Sequence, residues 1–455
     1  MRLSDSSKYA LAFLVTSLAA CSADATTATP TDTTDAGTLA EELTGSITAD
    51  KTLSKSGNYL LKGLVTVKAP AKLTIEPGTV IKGDNASKGI LLIEPGAQIL
   101  AEGTATAPIV FTSQAPEGQR RPGDWGGIII LGNAPVNMPG GKGNVEGILK
   151  TTQGSDFGGA SADDSSGKLR YVRVEYAGVE LSKDNEVNGI TFGGVGRGTV
   201  IDHVQVRFAL DDCFEWFGGT VDAKYLACQY NQDDGFDFDN GYSGRLQFLV
   251  LQQDPSHAGE DNGFESDNDA TGTSNAPFTS PQVFNATLCG KNRSVDGMQF
   301  GMLLRKNTRG TYRNVLVDGF QSGIDVRDAP TVGGMTGAGS LSISHSLFFG
   351  STGTGVVGGI AFLETGTTAP DKDNDGAFDE VAYIKDPTRA NMMVDPGVTG
   401  CFSATSPSFG PAAPQTGTAP PADGFFDTSA TYVGAFKDAA DTWATSGTWA
   451  VWSDK

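Results

Sequence analysis

A short motif of alternating aromatic and acidic residues recurs along the middle of the chain and constrains the fold more than any other feature. The copies read DDCFEWFGG from Asp211, DDGFDFDNG from Asp233 and, more weakly, DNGFESDND from Asp261. Alternation with period two predicts a strand that buries one face. A helical repeat would place apolar residues three and four positions apart, and the sequence has no such stripe. Recurrence at about this spacing is typical of a solenoid.

Aligning the copies on the residue before each aromatic extends the repeat in both directions, with steps of 22 to 34 residues. The aligned column contains Gly189, Cys213, Gly235, Gly263, Gly297 and Gly323. Parallel stacking of the strands gives two inward columns, Ile190/Phe214/Phe236/Phe264/Met298/Ile324 and Phe192/Trp216/Phe238/Ser266/Phe300/Val326. The outward column between them contains Thr191, Glu215, Asp237, Glu265, Gln299 and Asp325.

A second strand is expected in each coil at a constant step of 22 residues, which predicts the columns Val204/Leu226/Phe248 and Val206/Cys228/Val250. Apolar columns inside and polar columns outside are the pattern of a coil that stacks on its own copies. The sequence therefore predicts an all-β fold, a single parallel β-helix solenoid with projecting loops and terminal caps.

Composition fits a thin core with many turns, because only 38% of the 455 residues are apolar and 60 are glycine. The formal net charge of −20 repels nucleic acid and anionic membranes and attracts cations. We therefore expect no nucleic-acid partner. Solubility outside the cell is the alternative explanation of this charge.

The N-terminus is typical of an exported lipoprotein. Arg2 and Lys8 precede an apolar run, Tyr9–Ala20, that is too short to span a membrane. Leu18-Ala19-Ala20-Cys21 resembles a bacterial lipobox, which predicts a signal peptide over 1–20 and diacylation of Cys21. An ordinary signal peptide followed by an incidental cysteine is the alternative. Residues 21–42 are then the lipidated cysteine and a flexible tether, and residues 43–455 the β-helix domain.

The position of Cys21 also predicts a location. Ser22 follows the cysteine, without the aspartate that often signals retention in the inner membrane. We therefore expect anchoring in the outer membrane, on its periplasmic or extracellular face. Export permits disulfides among Cys213, Cys228, Cys289 and Cys401. The predicted columns place Cys228 inward and Cys213 beside a turn, so buried free thiols are expected.

Three segments are predicted to depart from the regular coils. Residues 138–167 form a loop insertion, and the aromatic residues 424–455 form a C-terminal cap. Residues 371–380 resemble a short calcium loop, because alternating carboxylates precede a glycine that permits a sharp turn. The predicted ligands are Asp371, Asp373, Asp375, Asp379 and Glu380. No flanking helix is expected, and a solvated acidic turn is the alternative.

Several longer motifs carry a family resemblance over residues 57 to 455. They are LTIEPGTVIKG (73–83), WGGIIILGN (125–133), YVRVEYAG (171–178), NGITFGGVGRGT (188–199), DDCFEWFGGTV (211–221), DDGFDFDNGYSG (233–244) and YVGAF (432–436). With these the chain resembles exported bacterial right-handed parallel β-helix lipoproteins of the pectin-lyase-like fold group. The resemblance implies the fold and no assigned chemistry. Some such proteins are encoded beside TonB-dependent outer-membrane receptors, which makes a receptor of this kind an expected partner.

The outward acidic column is the candidate site. Glu215, Asp237 and Glu265 are expected about 4.8 Å apart on successive strands, and like charges at this spacing repel. Asp211, Asp233 and Asp261 form a second row, with Asp212 and Asp234 beside it. Bound protons, covering arginines, turn hydrogen bonds from the backbone or a divalent cation are the alternative sources of compensation. Calcium is the predicted cofactor, with Asp211, Asp233, Glu215, Asp237 and Glu265 as further ligands.

Two functions are compatible with this column. A non-catalytic binding or scaffold module is favoured, because a ladder of equivalent carboxylates lacks one distinct acid and one distinct base. The ligand is then calcium, an extracellular glycan or a receptor, and the outward Phe217 is available to stack on a sugar. The alternative is a polysaccharide lyase or glycoside hydrolase that uses two of these carboxylates.

Overall fold

The computed structural model describes residues 40–148, 152, 154–182, 185–257, 262–293, 299–337, 339–352, 374–376 and 378–453. The predicted signal peptide, Cys21 and most of the tether lie outside this range. No helix within it is both long and apolar enough to cross a membrane.

Strands dominate the described residues. They are β1 (Glu41–Ile47), β2 (Lys51–Leu53), β3 (Tyr59–Val67), β4 (Lys72–Ile75), β5 (Val80–Gly83), β6 (Ile90–Ile93), β7 (Gln98–Glu102), β8 (Ile109–Ser113), β9 (Gly127–Leu131), β10 (Gly143–Asn144), β11 (Asp156–Phe157), β12 (Gly167–Glu175), β13 (Val179–Ser182), β14 (Asn185–Val187), β15 (Ile190–Gly193), β16 (Val200–Arg207), β17 (Phe214–Phe217), β18 (Ala223–Gln229), β19 (Phe236–Asp239), β20 (Arg245–Gln252), β21 (Phe264–Ser266), β22 (Gln282–Cys289), β23 (Met302–Leu304), β24 (Gly310–Asp318), β25 (Asp325–Val326), β26 (Leu341–Ser344) and β27 (Leu347–Phe349). The helices are α1 (Ala329–Thr336) and α2 (Glu380–Lys385), with 3-10 turns at Pro139–Gly141 and Pro387–Arg389.

Parallel pairing joins 23 of these strands from coil to coil on three faces. The first face, which we call the groove sheet, contains β6, β9, β15, β17, β19, β21, β23 and β25 in that order. The long strands β12, β16, β18, β20, β22 and β24 each bend and supply the other two faces. Their C-terminal halves pair from β8 to β27 and form what we call the strap sheet. The predicted parallel β-helix is confirmed.

The inward aromatic column of the groove sheet has the predicted register. Phe214 pairs with Phe236, and Phe236 pairs with Phe264. Their ring centroids lie 5.6 and 5.7 Å apart, and all three side chains are fully buried. Stacked aromatic rings add to the burial of apolar surface, so this column stabilises the middle coils.

Beyond Phe264 the predicted register is wrong by four residues. Phe264 pairs with Met302 rather than Met298, and Glu265 pairs with Leu303 rather than Gln299. The aligned column needs glycine here, because a Cβ at Gly263 would lie 2.4 Å from the carbonyl oxygen of Gly301. Gly301 therefore takes the place predicted for Gly297, since the turn after β22 is longer than the alignment allowed.

The strap sheet also departs from its predicted step. Leu226 pairs with Leu249 and Cys228 with Leu251, one residue beyond the predicted Phe248 and Val250. Each long strand bends at a residue with positive φ, including Tyr225 (58°) and Phe248 (63°). These bend residues align with each other and stack outside the sheet, with ring centroids 4.8 Å apart. The spacing of the bends, 23 residues here, therefore sets the register.

The four cysteines form two disulfides, so the prediction of free thiols is wrong. Cys213 is joined to Cys228, 15 residues away, and Cys289 is joined to Cys401, 112 residues away. Cys213 belongs to the turn before β17, but its side chain is fully buried in the same core as Cys228. Cys401 reaches Cys289 from a segment outside the coils. The position of such a segment does not follow from the residue columns of the repeat.

That segment, residues 396–453, is the C-terminal strap. Its residues Phe409, Phe436, Trp449 and Trp452 pack on an outward apolar column of the strap sheet, which contains Ala227, Val250, Leu316 and Leu347. The side chain of Gln205 exchanges two hydrogen bonds with Val451, each at 2.8–2.9 Å. The predicted cap therefore lies along the side of the solenoid. Residues of α1 and α2 instead join the core at the β26 end, namely Met335, Tyr383 and Ile384.

Candidate functional site

An acidic groove of about 740 Å³ lies along the outer side of the groove sheet. Twelve carboxyl groups of the described residues line it: Glu146, Glu180, Glu186, Asp211, Asp212, Glu215, Asp233, Asp234, Asp237, Asp239, Glu265 and Asp267. Within the part of the chain that the structure describes, the basic residues that line it are Arg305 and Lys306. The groove therefore has a strongly negative potential unless protons or cations occupy it.

Strand register places the central carboxyl groups. Glu215 pairs with Asp237 and Asp237 with Glu265, so the predicted outward column is confirmed for these three residues. A second outward column follows two residues later and contains Phe217, Asp239 and Asp267. The turns before β17 and β19 add Asp211, Asp212, Asp233 and Asp234. Asp261 lies outside the described residues.

Burial makes these carboxyl groups hard to ionise. Glu215, Asp212 and Asp234 are 6%, 6% and 4% exposed. Burial, followed by the charges of Glu146 and Asp237, raises the pKa of Glu215 well above its usual range. Burial, followed by Glu265 and Asp267, has the same effect on the pKa of Asp237.

The pKa values at the edges of the groove are raised as well. Burial and the charge of Asp211 raise the pKa of Glu146 to about 8. Burial and Glu186 raise the pKa of Asp211 to about 7. Burial and Asp267 raise the pKa of Asp239 to about 8. In the absence of cations, part of the groove is therefore protonated near neutral pH.

Backbone hydrogen bonds and basic side chains, two of the expected forms of charge compensation, are present at part of the acidic column. Asp212 accepts a hydrogen bond from the backbone N–H of Asp234 at 2.7 Å, and Asp234 accepts one from Asn262 at 2.8 Å. Arg305 bonds Glu265 and, at 2.9 Å, Asp267, while Lys306 bonds Asp267 at 2.7 Å. Both basic side chains thus lie at the Glu265 end of the groove.

The negative charge in the middle of the acidic column is less well compensated. The Oδ1 atom of Asp237 is buried and has no hydrogen-bond partner within the described part of the chain. Glu215 accepts a hydrogen bond from the amide of Asn188. Lys224, the one basic residue between 211 and 243, does not line the groove; its Nζ lies 4.7 Å from the ring centroid of Phe425 on the strap.

Carboxylate oxygens in the groove converge in three trios, each with all of its atoms within 4.8 Å of one another. The trios are Asp211/Asp212/Asp233, Asp212/Glu215/Asp237 and Asp234/Asp237/Glu265. Calcium binds oxygen at 2.3–2.6 Å, so two ligands of one ion lie up to about 5 Å apart. Each trio thus matches part of a calcium shell, and Asp212 and Asp237 are each shared by two trios.

Other residues that line the groove were not among the predicted site residues. Asp239 and Asp267 could have been found by continuing the same alternation two residues beyond Asp237 and Glu265. Glu146 follows β10 in the insertion, and Glu180 and Glu186 belong to the β13–β14 hairpin. No repeat signal predicts their positions, because both segments lie outside the repeating coils.

Phe217, which was expected to be available for stacking on a sugar, is largely covered. It is 7% exposed, and its ring centroid lies 6.4 Å from that of Phe157 in the insertion. The insertion folds back over this end of the groove sheet, so it covers an outward side chain that alternation alone leaves open.

The predicted calcium loop is described in part. Asp371 and Asp373 lie outside the described residues, and Asp375 is buried. Contrary to expectation, a helix follows directly, and Asp379 caps it by accepting a hydrogen bond from Ala382 N at 2.8 Å. Glu380 is 1% exposed, and burial together with Asp375 and Asp325 raises its pKa to about 9. Calcium binding by this loop stays a prediction.

A parallel solenoid with an acidic groove on one sheet defines the class of this protein as a β-helix with a lateral acidic groove. The chain belongs to the family of pectate-lyase-like β-helix domains, whose family model matches residues 45–361. This match confirms the fold that the sequence motifs implied. Comparison with curated proteins and with solved structures found no match.

Proposed function

We propose that this protein is a non-catalytic binding module whose acidic groove binds divalent cations, with calcium preferred. The observation that carries the proposal is the row of three carboxylate trios joined through Asp212 and Asp237. Hard cations such as calcium take six to eight oxygen ligands from carboxylates, carbonyls and water. Protonation alone would neutralise the groove but would leave the buried Asp237 Oδ1 without a partner.

The shared residues favour more than one ion. Asp212 and Asp237 each offer oxygens to two trios, so neighbouring ions would be bridged by one carboxylate. Each ion would reduce the repulsion between the carboxylates of successive coils. Bound ions would therefore stabilise the middle coils as well as prepare the groove for a ligand.

The groove is larger than the ions alone require. A volume of about 740 Å³ lies in the range of sites for organic ligands. An extracellular acidic glycan suits such a groove, because its carboxylates can complete the coordination of ions already held by the protein. The ions would then link two acidic surfaces that otherwise repel each other.

A polysaccharide lyase or glycoside hydrolase is the second candidate. It is favoured by Asp211 and Glu146, whose pKa values of about 7 and 8 suit proton transfer near neutral pH. Against it, the two basic residues of the groove are both ion-paired with its acids, and the central carboxylates recur as equivalents. Family membership supports the fold, whereas the chemistry has to be inferred from the residues of the groove.

Calcium titration calorimetry on the chain from residue 40, which keeps all of β1, tests the proposal. We expect Asp237→Asn to weaken groove binding at least about tenfold, which corresponds to about 1.4 kcal/mol. Asp163→Asn is the matched control, because this carboxylate is 87% exposed and lies outside the groove. An Asp237→Asn protein with the calcium isotherm of the unaltered chain would refute the proposal. Depolymerisation of an acidic polysaccharide that is lost in Asp237→Asn would favour the enzyme.

We also propose that the module is held at the outer membrane through Cys21 and the tether, where a TonB-dependent receptor is a candidate partner. The sequence around Cys21 supports this. Cys21→Ser is expected to move the protein from the membrane fraction to the soluble fraction with an unchanged melting temperature. If the substituted protein still sediments with membranes, the anchor is not Cys21.

A further inference from the structure

A second, smaller pocket lies between the C-terminal strap and the N-terminal halves of β16 and β18. Its volume is about 280 Å³, and we call it the strap pocket. Arg197, Val200 and Lys224 line it from the coils, and Phe425 lines it from the strap. The described residues that line it are all different from those of the acidic groove. Its volume lies just below the range of pockets for drug-sized molecules, so it suits a smaller ligand.

The ammonium group of Lys224 makes no ion pair or hydrogen bond within the described part of the chain. Asp202 lies directly opposite Lys224 on β16, but its Oδ1 atom contacts Nδ1 of His203. Nζ of Lys224 instead lies 4.7 Å from the ring centroid of Phe425, which is a cation–π contact. The acid that strand register places beside Lys224 is therefore already engaged.

Two other carboxyl groups act on Lys224 from the strap, and each has its own donors. Asp427 accepts hydrogen bonds from the backbone N–H and the hydroxyl group of Ser429, at 2.9 and 2.6 Å. Asp423 accepts one from Arg245 at 2.9 Å. Burial lowers the pKa of Lys224, although Asp427 and other acids act in the opposite direction. The ammonium group therefore loses more to burial than its neighbours return, and an anion in the pocket would reverse this loss.

Arg197 is the second basic residue of the pocket, and its ion-pair contacts are long. Its Nε lies 3.4 Å from Asp222 Oδ2, and its Nη1 lies 4.0 Å from the exposed Asp163. Asp222 is bonded more closely by Arg245, through both Nε, at 3.1 Å, and Nη2. Arg197 thus keeps donor groups for a ligand, because Asp222 is already bonded by a different guanidinium.

We propose that the strap pocket binds a small organic acid, whose carboxylate accepts hydrogen bonds from Lys224 and Arg197. Such charge-assisted bonds are shorter and stronger than those between neutral groups. The carbon skeleton of the acid packs against Val200 and the ring of Phe425. The net charge of −20 repels anions in general, so these local contacts select the ligand. A free hydroxy acid and the uronate unit of a glycan both present this chemistry.

Acetylation footprinting of the lysines tests the site on the full chain, with lactate and glucuronate as the two probes. Calcium is removed with a chelating resin, because soluble chelators are themselves carboxylates. At ten times its Kd, a bound acid is expected to slow acetylation of Lys224 about tenfold by mass action. Lys62, an exposed lysine of β3 that lies outside the pocket, should react at an unchanged rate. Glucose, which has the ring of glucuronate without the carboxylate, should protect neither lysine.

The two probes separate the sources of the ligand. Protection by lactate alone assigns a free hydroxy acid, whereas protection by glucuronate assigns a uronate unit. The proposal is overturned if neither probe protects Lys224 up to about 50 mM, a concentration that detects a Kd in the millimolar range. This measurement requires no variant to fold. Equal protection by glucose would also overturn it, because the carboxylate is then not what is recognised.

Titration of the protecting acid against variants assigns the contacts. Lys224→Met keeps the apolar stem and removes the charge, so we expect its Kd to rise at least about tenfold. Lys224→Arg keeps the charge and should lose less, and Lys62→Met should lose nothing. Asp237→Asn should bind the acid as the unaltered chain does, which separates this site from the groove. An unchanged Kd in Lys224→Met would show that the acid binds elsewhere.

Discussion

The groove sheet and the strap sheet are built from the same coils, yet their outer faces are completed in opposite ways. The strap sheet exposes an apolar column that includes Ala227, Val250 and Leu316, and the chain's own C-terminus covers it. The outer face of the groove sheet carries Glu215, Asp237 and Glu265, and twelve carboxyl groups of the described residues line the space outside it. One face is therefore satisfied within the chain, whereas the other has an excess of negative charge that a ligand from solution can balance.

The two faces contribute differently to the free energy of unfolding. On the strap sheet, hydrophobic burial and the hydrogen bonds that Gln205 and Asn285 donate to backbone carbonyls of the strap contribute stability without any bound ion. On the groove sheet, repulsion between carboxylates costs stability until protons or cations neutralise it. Substitutions on the two faces should therefore respond differently to pH and to calcium.

The largest expected effect is at the strap. Trp449 is 1% exposed, with ring centroids 5.2 Å from His203 and 6.1 Å from Trp443. Trp449→Ala should destabilise the protein by about 3–5 kcal/mol, because it leaves a cavity under the strap. Chemical denaturation with and without calcium measures the effect, which should be equal in both conditions. Trp449→Phe, which keeps a ring, should lose less; equal losses would show that packing is not the cause.

The next effect concerns the disulfide that ties the strap to β22. Cys401→Ser opens a loop of 112 residues and should cost about 2–4 kcal/mol. Cys213→Ser opens a loop of 15 residues and is the internal comparison, with a smaller loss on the chain-entropy account. Thermal melting of both variants without reductant tests the order. A larger loss in Cys213→Ser would mean that strain or packing outweighs loop length.

The third effect is a pH dependence that belongs to the groove. The folded state raises the pKa of Asp239 to about 8, against an unfolded value near 4, so the folded protein binds protons more tightly between these values. Stability in chelator should therefore fall as pH rises from 6 to 8, by about 2 kcal/mol. Asp239→Asn should flatten this slope, and so should calcium. A stability that rises over this range in chelator would contradict the assigned shifts.

The smallest effect is a gain. Asp237→Asn removes one carboxyl group from the middle of the acidic column. At a pH that ionises these carboxyl groups, it should stabilise the calcium-free protein by about 0.5–1 kcal/mol, since like charges then face it on both neighbouring strands. Calcium should stabilise this variant less than it stabilises the unaltered chain. Melting temperatures in chelator and in calcium give both comparisons. Asp163→Asn, at an exposed position, should change neither value.

Much of the fold could be predicted because the sequence repeat determines which residues of each coil face the core. Period-two alternation fixed which side of each strand faces the core, so Phe214, Phe236 and Phe264 were placed correctly. The register failed where a turn changed length, at Met302 and at Leu249, because the alignment assumed constant steps. The aligned glycines held a better signal, since Gly301 lies 22 residues before Gly323, the same step as from Cys213 to Gly235, whereas Gly297 lies 26 residues before it.

The candidate site could be predicted only where it belongs to the repeat. Glu215, Asp237 and Glu265 followed from the strands, whereas Arg305 was hidden by the register error. Glu146 and Glu186 come from segments whose paths depend on tertiary packing. The disulfide of Cys401 and the path of the strap depend on contacts more than a hundred residues apart in the sequence, which local pattern does not encode.

The strap has a consequence for how this chain can evolve. Solenoids change length by gaining or losing whole coils, and a duplicated coil here would lengthen the acidic column by one step of about 4.8 Å. The same duplication would add one apolar residue to the column beneath the strap, and the disulfide of Cys289 fixes where the strap crosses β22. A copy-number change that suits a longer ligand would thus leave a strip of the opposite face uncovered. The acidic column ends at Thr191 on one side and at Leu303 on the other. The need to cover the opposite face with the strap therefore restricts changes in the length of this column.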